Sequence, residues 1–248
     1  MLLNVEGIVL RQIKYHEWDK ILTIYTKENG KIQAIAKGAR RQKSPLISCS
    51  QVFSYSRFIL YKGKNFYYIN SGEIVDTFYS LREDIYKLAY ATYFLELVDC
   101  ATFEEYPIPI LFDLLIKTLR VLENLKDNYS KLARAFELKY ISFIGYKPNL
   151  KTCVLCNNEP GNNIIFSIKN GGILCEDCKQ KDNEGYIISK DILKAMRFLM
   201  YTELDKLDKM IIDDNTMVKL KEIIINYLKE YTDRESFKSL DFLNSIKE

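Results

Sequence analysis

The chain of 248 residues has one histidine, no long apolar run and none of the common motifs of nucleotide-binding or hydrolytic enzymes. A single histidine, His16, leaves hydrolytic zinc chemistry short of ligands. Without an apolar run of about eighteen residues, no transmembrane span is predicted. The patterns G-x-x-x-x-G-K-[ST], G-x-G-x-x-G, G-x-S-x-G and H-E-x-x-H are all absent, and no paired carboxylates suited to a two-metal nuclease stand out. These absences together favour a binding protein over an enzyme, and no catalytic residue is predicted.

The six cysteines are distributed unevenly. Four of them form two Cys-x-x-Cys pairs, Cys153 with Cys156 and Cys175 with Cys178, and eighteen residues separate the pairs. Thiolates spaced in this way can close a tetrahedron around one Zn²⁺ ion. Between the pairs, a β-rich run, an Asn-Gly-Gly turn and a short second run predict a hairpin of the zinc-ribbon kind. Because this stretch has little apolar content, we expect the metal to supply much of its folding free energy.

Other interpretations of the four cysteines stay open. A disulfide pair needs an oxidising compartment, whereas we recognise no signal peptide and expect an intracellular protein. A redox pair of the thioredoxin type needs one Cys-x-x-Cys beside a βαβ unit, and a metal-free degenerate finger is the third alternative. Zinc is favoured, and a site of four cysteines has no open position, which indicates a structural role. The two remaining cysteines, Cys49 and Cys100, are expected to be small buried apolar residues.

The first 80 residues are predicted to form five strands. Runs with β character begin near Leu3, Ile21, Ile32, Val52 and Phe66. Asn29-Gly30 predicts a tight hairpin between the second and third runs, because glycine supplies the positive φ that such a turn needs. Five strands with few convincing helices between them favour a small closed barrel, with the OB-fold as the leading candidate.

Positive charge is concentrated in the same region. Residues 1–80 carry twelve Lys and Arg against six Asp and Glu, whereas residues 81–248 carry 24 against 27. This asymmetry indicates an anionic partner for the first module. The segment KGARRQKSP, between the third and fourth strands, has four cations and no acid: Lys37, Arg40, Arg41 and Lys43. Mobile cations on a barrel rim can neutralise phosphates, although a solvated surface loop with a basic bias is the plain alternative.

Six residues are therefore the candidate contacts to nucleic acid: Lys37, Arg40, Arg41 and Lys43, with Arg11 and Lys14 on the first strand. Aromatic side chains nearby could stack on bases, but strand alternation should turn about half of them inward. They are Phe53, Tyr55, Phe58, Tyr61, Phe66, Tyr67 and Tyr68. His16 has no Ser or Cys partner in view, and we expect it to be a structural loop residue.

From Ser80 onward the apolar period becomes helical. Ser80 and Glu83 predict a capping box, and three helices follow, over Leu81–Val98, Leu111–Leu122 and Leu132–Phe143. Helical periodicity returns after the cysteines at 189–203 and 214–231, with a short final helix around 234–243. The predicted class is α+β: an OB-fold barrel over residues 1–79, then an α-helical bundle over 80–248 with a zinc-ribbon-like finger inserted at 150–185.

Six short segments carry a resemblance to a known family. They are G-I-V-L (Gly7–Leu10), Y-H-E-W-D-K-I-L (Tyr15–Leu22), T-K-E-N-G-K (Thr26–Lys31), A-K-G-A-R-R (Ala36–Arg41), I-G-Y-K-P-N-L before C-V-L-C, and K-S-L-D-F-L (Lys238–Leu243). In these segments, which span both ends and the centre, the chain resembles the bacterial RecO family.

The resemblance implies an OB-fold followed by a helical domain that carries a zinc-binding element. RecO proteins are recombination mediators rather than enzymes: they bind single- and double-stranded DNA, anneal complementary strands, and with RecR help to load RecA onto strands covered by single-strand-binding protein. The family also docks the C-terminal tail of single-strand-binding protein on its helical domain. Lys37, Arg40 and Arg41 match the family's basic segment. The four paired cysteines match its metal quartet, which is incomplete in some members, so the resemblance implies that zinc is structural.

A cytoplasmic, nucleoid-associated DNA repair protein is thus expected. Two rivals stay open. One is a basic OB-fold and zinc-ribbon protein that binds RNA in transcription or translation, and the other is a metal-dependent nuclease.

Overall fold

A computed structural model describes residues 2–246 and begins with a closed five-stranded barrel. Its strands are β1 (Leu2–Tyr15), β2 (Asp19–Thr26), β3 (Gly30–Ala36), β4 (Tyr55–Lys62) and β5 (Tyr67–Asp76). Around the barrel the order is β1-β2-β3-β5-β4, and only the β3–β5 pair is parallel. The predicted five-stranded barrel of the OB kind is confirmed.

Side-chain alternation fills the barrel interior with apolar groups, as the sequence pattern predicts. Leu22, Ile24, Ile32, Phe58 and Leu60 are among the buried residues of this core. The predicted β2–β3 hairpin is also present, with Thr26 paired to Gly30. Gly30 has φ +66°, and a Cβ there would lie 2.4 Å from the backbone oxygen of Tyr106. The turn therefore needs glycine for its dihedral angle and for the space beside it.

Two helices, α1 (Ile85–Ala101) and α2 (Pro109–Asn124), follow the barrel. The predicted capping box is wrong: Ser80 lies inside a short 3-10 turn, Tyr79–Arg82, and its hydroxyl donates to a Glu123 carboxylate oxygen at 2.6 Å. Asp84 caps α1 instead. Its carboxylate accepts the amide hydrogens of Tyr86 and Lys87 at 2.8 and 3.1 Å, which satisfies donors that a helix N-terminus leaves unpaired.

The outer surface of β2 is covered by this helix pair. Tyr25, which points out of the barrel, is fully buried: its hydroxyl donates to the Ile108 carbonyl at 3.2 Å, and its ring centroid is 6.0 Å from that of Phe112 on α2. Lys31 on β3 donates to the carbonyl of Asp99 on α1 at 2.6 Å. The helices thus close the face of the barrel around β2 and β3.

By its internal contacts the chain forms two compact units, residues 2–124 with 242–246, and residues 125–241. Strands give way to helices near residue 80, as the sequence suggests. The division between units comes later, however, because α1 and α2 pack with the barrel.

The second unit is built on three packed helices, α3 (Tyr129–Phe143), α4 (Lys190–Tyr201) and α5 (Asp214–Thr232). Between α3 and α4 lies a three-stranded sheet in the order β7-β6-β8, made of β6 (Ile164–Ser167), β7 (Gly172–Leu174) and β8 (Tyr186–Ile188). A last helix, α6 (Lys238–Ser245), ends the described chain. No helix in this stretch, or elsewhere in residues 2–246, combines the length and apolarity that a membrane crossing requires.

Candidate metal centre and nucleic-acid surface

The four cysteines of the two Cys-x-x-Cys pairs lie together in the second unit. The Sγ atoms of Cys153, Cys156, Cys175 and Cys178 are all within 4.8 Å of one another. Sulfurs held about 2.3 Å from a central zinc ion in a tetrahedron are about 3.8 Å apart. The donor set and its spacing therefore fit one tetrahedral metal ion. Across residues 2–246, no second group of three or more Cys, His, Asp or Glu gathers in this way.

Each pair is held by a tight backbone turn. The amide of Asn157 donates to the Cys153 carbonyl at 2.9 Å, and the Cys153 amide donates to the Asn158 carbonyl at 2.8 Å. Asn157 has φ +63°, a conformation that asparagine tolerates better than most residues. In the second pair, the amide of Cys178 donates to the Cys175 carbonyl at 3.1 Å. Both turns aim two thiols in one direction.

The hairpin between the pairs brings the two turns together, as predicted. β6 and β7 pair in antiparallel register, and the amide of Val154 donates to the carbonyl of Ile173 on β7 at 2.9 Å. A Cβ on Gly172 would lie 2.4 Å from the backbone oxygen of Asn149, so only glycine allows the two backbone segments to lie this close together. The third strand of this sheet, β8, was not predicted.

The thiols of the quartet differ in acidity. Burial opposes ionisation of Cys153, but backbone N–H groups of Cys175, Cys156 and Leu155 donate to its sulfur and lower its pKa to about 6. Burial and the neighbouring thiols raise the pKa of Cys178 to about 12. Four thiolates at this spacing repel one another, so a divalent cation at their centre is what would allow all four to ionise. Such a closed site leaves no open position for a substrate.

The other two cysteines differ from each other. Cys49 is buried in the barrel core, as expected. Cys100, on α1, is partly exposed, so the expectation that it is buried is wrong. Its position next to the end of α1 explains the difference, because the last turn of a helix is only partly covered.

The basic segment on the barrel is exposed but ordered. Lys37, Arg40, Arg41 and Lys43 are all exposed. Consecutive backbone turns shape the segment: the Arg41 amide donates to the Gly38 carbonyl at 3.0 Å, for example.

Hydrogen bonds of Gly38 and Arg40 fix the segment to the β1–β2 turn and to the start of β2. Asp19 accepts the amide hydrogen of Gly38 at 2.7 Å. Arg40 donates from its backbone amide to the Trp18 carbonyl at 2.9 Å, and from its guanidinium to the Glu17 carbonyl at 2.8 Å. His16, with φ +45°, belongs to the same turn, and its ring packs on Tyr15.

A further cation, Lys20, lies close enough to the basic segment to be influenced by Arg40, and it was not predicted. Its ammonium donates to the Ser50 hydroxyl at 3.2 Å. Burial and then repulsion from Arg40 lower its pKa below the usual 10.5. Charge repulsion of this kind is relieved when an anion binds beside the lysine. No local sequence signal marks Lys20, because its contact with Ser50 joins residues that are 30 positions apart.

Arg11 and Lys14 do not share one surface. They are three residues apart on β1, so they point to opposite faces of the strand. Arg11 forms an ion pair of 2.8 Å with Asp99 on α1. Lys14 is exposed and is paired in register with Lys20 on β2. The structure therefore places Lys14, but not Arg11, beside Lys20.

The seven candidate aromatic side chains differ in how far the barrel buries them. Phe53, Tyr55, Phe58 and Tyr67 are buried, and Phe66 and Tyr68 are half-buried. Tyr61 is exposed and stacks on Tyr68, with 4.8 Å between ring centroids and 8° between ring planes. The Lys37 ammonium lies 5.1 Å from the centroid of the Tyr68 ring. Two of the seven candidate rings thus adjoin the basic segment on the outside of the barrel.

Comparison with known proteins shows the family of the chain. Residues 1–78 match the family described as Recombination protein O N terminal, and residues 82–241 match Recombination protein O C terminal. The chain is 39% identical over 246 residues to the DNA repair protein RecO of Alkaliphilus metalliredigens, which covers 99% of this chain and 100% of that protein. It is 31% identical over 244 residues to the DNA repair protein RecO of Acetivibrio thermocellus, covering 98% and 97%.

A third relative is the DNA repair protein RecO of Shouchella clausii, 36% identical over 231 residues, covering 93% of this chain and 90% of that protein. These matches take in the barrel, the cysteine quartet and the helices. The chain belongs to the RecO family of DNA repair proteins.

Proposed function

We propose that this chain is a recombination mediator that binds single- and double-stranded DNA and anneals complementary strands. Its membership of a DNA repair family gives the setting. The observation that carries the proposal is the ordered basic surface of the barrel, where Lys37, Arg40, Arg41 and Lys43 are exposed together. With Lys14 and Lys20, these residues form what we call the basic surface.

The proposed mechanism is electrostatic and involves no covalent step. Lys and Arg side chains neutralise phosphates and release bound counterions, so affinity falls as salt rises. Complementary strands repel each other until their phosphates are neutralised, and a surface that holds one strand lowers this barrier for the second. Because the segment is held by Asp19 and by the Trp18 carbonyl, it loses little conformational entropy on binding.

We propose that one Zn²⁺ ion per chain is held by Cys153, Cys156, Cys175 and Cys178 and that it is structural. A zinc ion there would cross-link the two cysteine turns, and no step in DNA binding depends on it directly. Support comes from the four-sulfur donor set, the spacing of the sulfurs and the closed coordination shell.

We also propose the partners that family membership suggests. These are RecR, the C-terminal tail of single-strand-binding protein, and RecA indirectly, with the protein acting as a non-enzymatic mediator at the nucleoid in the cytoplasm. The support is membership of the family alone, and no described surface is assigned to these proteins.

The experiment is a salt titration of DNA binding with the full, zinc-loaded chain. Reversal of two charges by R40E/R41E should weaken binding to single-stranded and duplex DNA at low salt and flatten the salt dependence, because fewer phosphates are neutralised. The matched control is K190E/K194E, which reverses two exposed charges on α4. Equal affinity and salt slope in R40E/R41E and the unchanged chain would contradict the proposal.

A parallel titration with RNA of the same base sequence separates the rival function. A clear preference for RNA would move the function to an RNA-binding protein, because only contacts to the 2′-hydroxyl distinguish the two strands.

A further inference from the structure

The outer side of the β4–β5 hairpin presents an aromatic pair that has no role in the barrel core. Tyr61 and Tyr68 are register partners on the two strands. Their rings stack nearly in parallel, and 41% of Tyr61 is exposed. On the next strand, Leu2 is the register partner of Tyr61 and is 62% exposed. An apolar row thus crosses three strands and faces solvent.

The hairpin turn leaves room for these rings. Gly63 lies in the turn, and a Cβ at that position would be 2.6 Å from the ring of Tyr68. Any side chain at residue 63 would push the ring from its place. Since Lys64 and Asn65 complete the turn and are exposed, the sides of the row remain open.

Positive charge lies directly beside the rings. The ammonium of Lys37 is over Tyr68, and the parallel β3–β5 pairing sets Ile35 against Tyr68, two residues before the basic segment starts. Glu105, an acid that contacts the turn end of the hairpin, is already engaged, because it pairs with Lys62 at 2.5 Å and accepts the hydrogen of the Tyr67 hydroxyl at 2.7 Å. A DNA strand that runs from the rings toward the basic segment therefore meets cations rather than carboxylates.

The face that OB-folds commonly use for nucleic acid, around the second and third strands, is closed in this chain. Tyr25 is buried there under Ile108 and Phe112. Lys31 and Arg11, which would face a strand, are both engaged by Asp99. Bases cannot reach Tyr25 while α1 and α2 pack on the barrel, and the Lys31 side chain is largely covered, although 62% of the Arg11 side chain remains exposed. The β4–β5 turn, one of the loops that flank this face, is open.

We propose that Tyr61 and Tyr68 form a stacking platform for unpaired bases of single-stranded DNA, whose phosphates continue onto Lys37 and the basic surface. This inference rests on the proposed DNA-binding function. Stacking of bases on aromatic rings tolerates any sequence, because every base has a π-face. A duplex keeps its bases stacked inside, so it contacts the cations only. The platform thus gives the protein a preference for single strands.

Cross-strand tyrosines also stabilise a sheet, and the test has to separate that role from stacking. Y61A and Y68A remove the rings, whereas Y61F and Y68F keep them. Y79A is the matched control, because Tyr79 is 63% exposed in the same unit but lies in a helical turn after β5, at the opposite end of that strand from the hairpin turn. Affinity for fluorescein-labelled oligo-dT and for a duplex of mixed sequence is measured by anisotropy, and folding is checked by thermal melting.

We expect Y61A and Y68A each to lose about tenfold in affinity for oligo-dT. Duplex affinity should be retained in both variants, and Y61F, Y68F and Y79A should bind like the unchanged chain. The proposed platform would be contradicted if the alanine variants kept full affinity for oligo-dT, or if they lost affinity for oligo-dT and for the duplex equally.

A second measurement uses the unchanged chain, so a folding defect in a variant cannot affect its result. Oligonucleotides carrying 5-iodouracil cross-link to stacked tyrosines on irradiation, and the cross-linked peptide should contain Tyr61 or Tyr68. Cross-links that map only to other peptides would overturn the inference.

These experiments distinguish failure of the stacking platform from failure of the proposed DNA-binding function. If R40E/R41E loses DNA binding while Y61A and Y68A retain it, the platform is wrong and the basic surface stands. If the unchanged chain binds neither oligo-dT nor duplex, both proposals fail.

Discussion

The thiols of Cys156 and Cys175 come from different Cys-x-x-Cys pairs, nineteen residues apart, and their sulfurs lie 3.5 Å from each other. This contact closes the finger, since each sulfur belongs to a separate turn and the β6–β7 hairpin joins the turns. A metal ion bound at this point would fix the ends of the hairpin to each other. The finger's own apolar cluster is small, with Ile165 and Leu174 beside the cysteines.

The first prediction concerns these sulfurs. C156S or C175S should abolish stoichiometric metal and lower the free energy of unfolding of the finger by about 3 kcal/mol or more, because metal binding contributes directly to folding. Metal content by plasma mass spectrometry and hydrogen exchange across residues 149–188 check the result. C100S is the control, because Cys100 lies on α1 outside the quartet. A C156S protein that keeps one tightly bound zinc per chain would contradict the four-sulfur site.

The second prediction compares two glycines with the same backbone angle. Gly30 and Gly38 both have φ +66°, but a Cβ on Gly30 would lie 2.4 Å from the Tyr106 oxygen, whereas one on Gly38 would touch only Arg41 at 3.6 Å. G38A should cost about 1 kcal/mol of stability, the strain of a left-handed alanine. G30A should cost about 3 kcal/mol or more, because a backbone clash is added. Chemical denaturation measures both, and equal losses would show that Gly30 is needed for its angle alone.

The third prediction concerns proton binding at Lys20. Burial and the neighbouring Arg40 lower its pKa below 10.5. R40Q should raise this pKa only in part, because the burial remains. The side-chain carbon resonances of Lys20, followed by NMR against pH, give the value directly.

The lowered pKa of Lys20 also determines the direction in which pH affects DNA binding. Lys20 is charged below its lowered pKa and neutral above it, so its attraction for phosphate is lost as pH rises through that pKa, before 10.5 is reached. An unchanged Lys20 pKa in R40Q would contradict the electrostatic repulsion between the two cations.

The fourth prediction uses the single tryptophan of the chain. Trp18 is 44% exposed, and its carbonyl accepts the backbone amide hydrogen of Arg40. Single-stranded DNA on the basic surface should therefore change Trp18 emission in a saturable way, and added salt should reverse the change. R40E/R41E should show the same change only at higher DNA concentrations. Emission that stays constant while anisotropy reports full binding would place the DNA elsewhere on the protein.

Local sequence signals predict the barrel and the cysteine cluster well. Alternation in β2 and β3, the Asn29-Gly30 turn and the spacing of the Cys-x-x-Cys pairs each depend on residues close in sequence. The helices from Leu111 to Leu122 and from Leu132 to Phe143 follow in the same way, since their apolar period extends over several turns.

Features that depend on distant residues were not predictable. Ser80 is a good capping residue by type, but Asp84 takes that role, and Ser80 bonds to Glu123 in α2. Arg11 was expected to meet nucleic acid, and it pairs with Asp99 far along the chain. The stacking of Tyr61 on Tyr68 depends on strand register, which a list of aromatic residues does not contain.

The most direct test of the account is annealing of complementary oligonucleotides coated with single-strand-binding protein, measured with the full, zinc-loaded chain at low and high salt. We predict that the chain accelerates annealing at low salt, that the acceleration fades as salt rises, and that R40E/R41E loses it while K190E/K194E keeps it. No acceleration by the unchanged chain, or equal acceleration by R40E/R41E, would contradict the proposal that this basic surface brings DNA strands together.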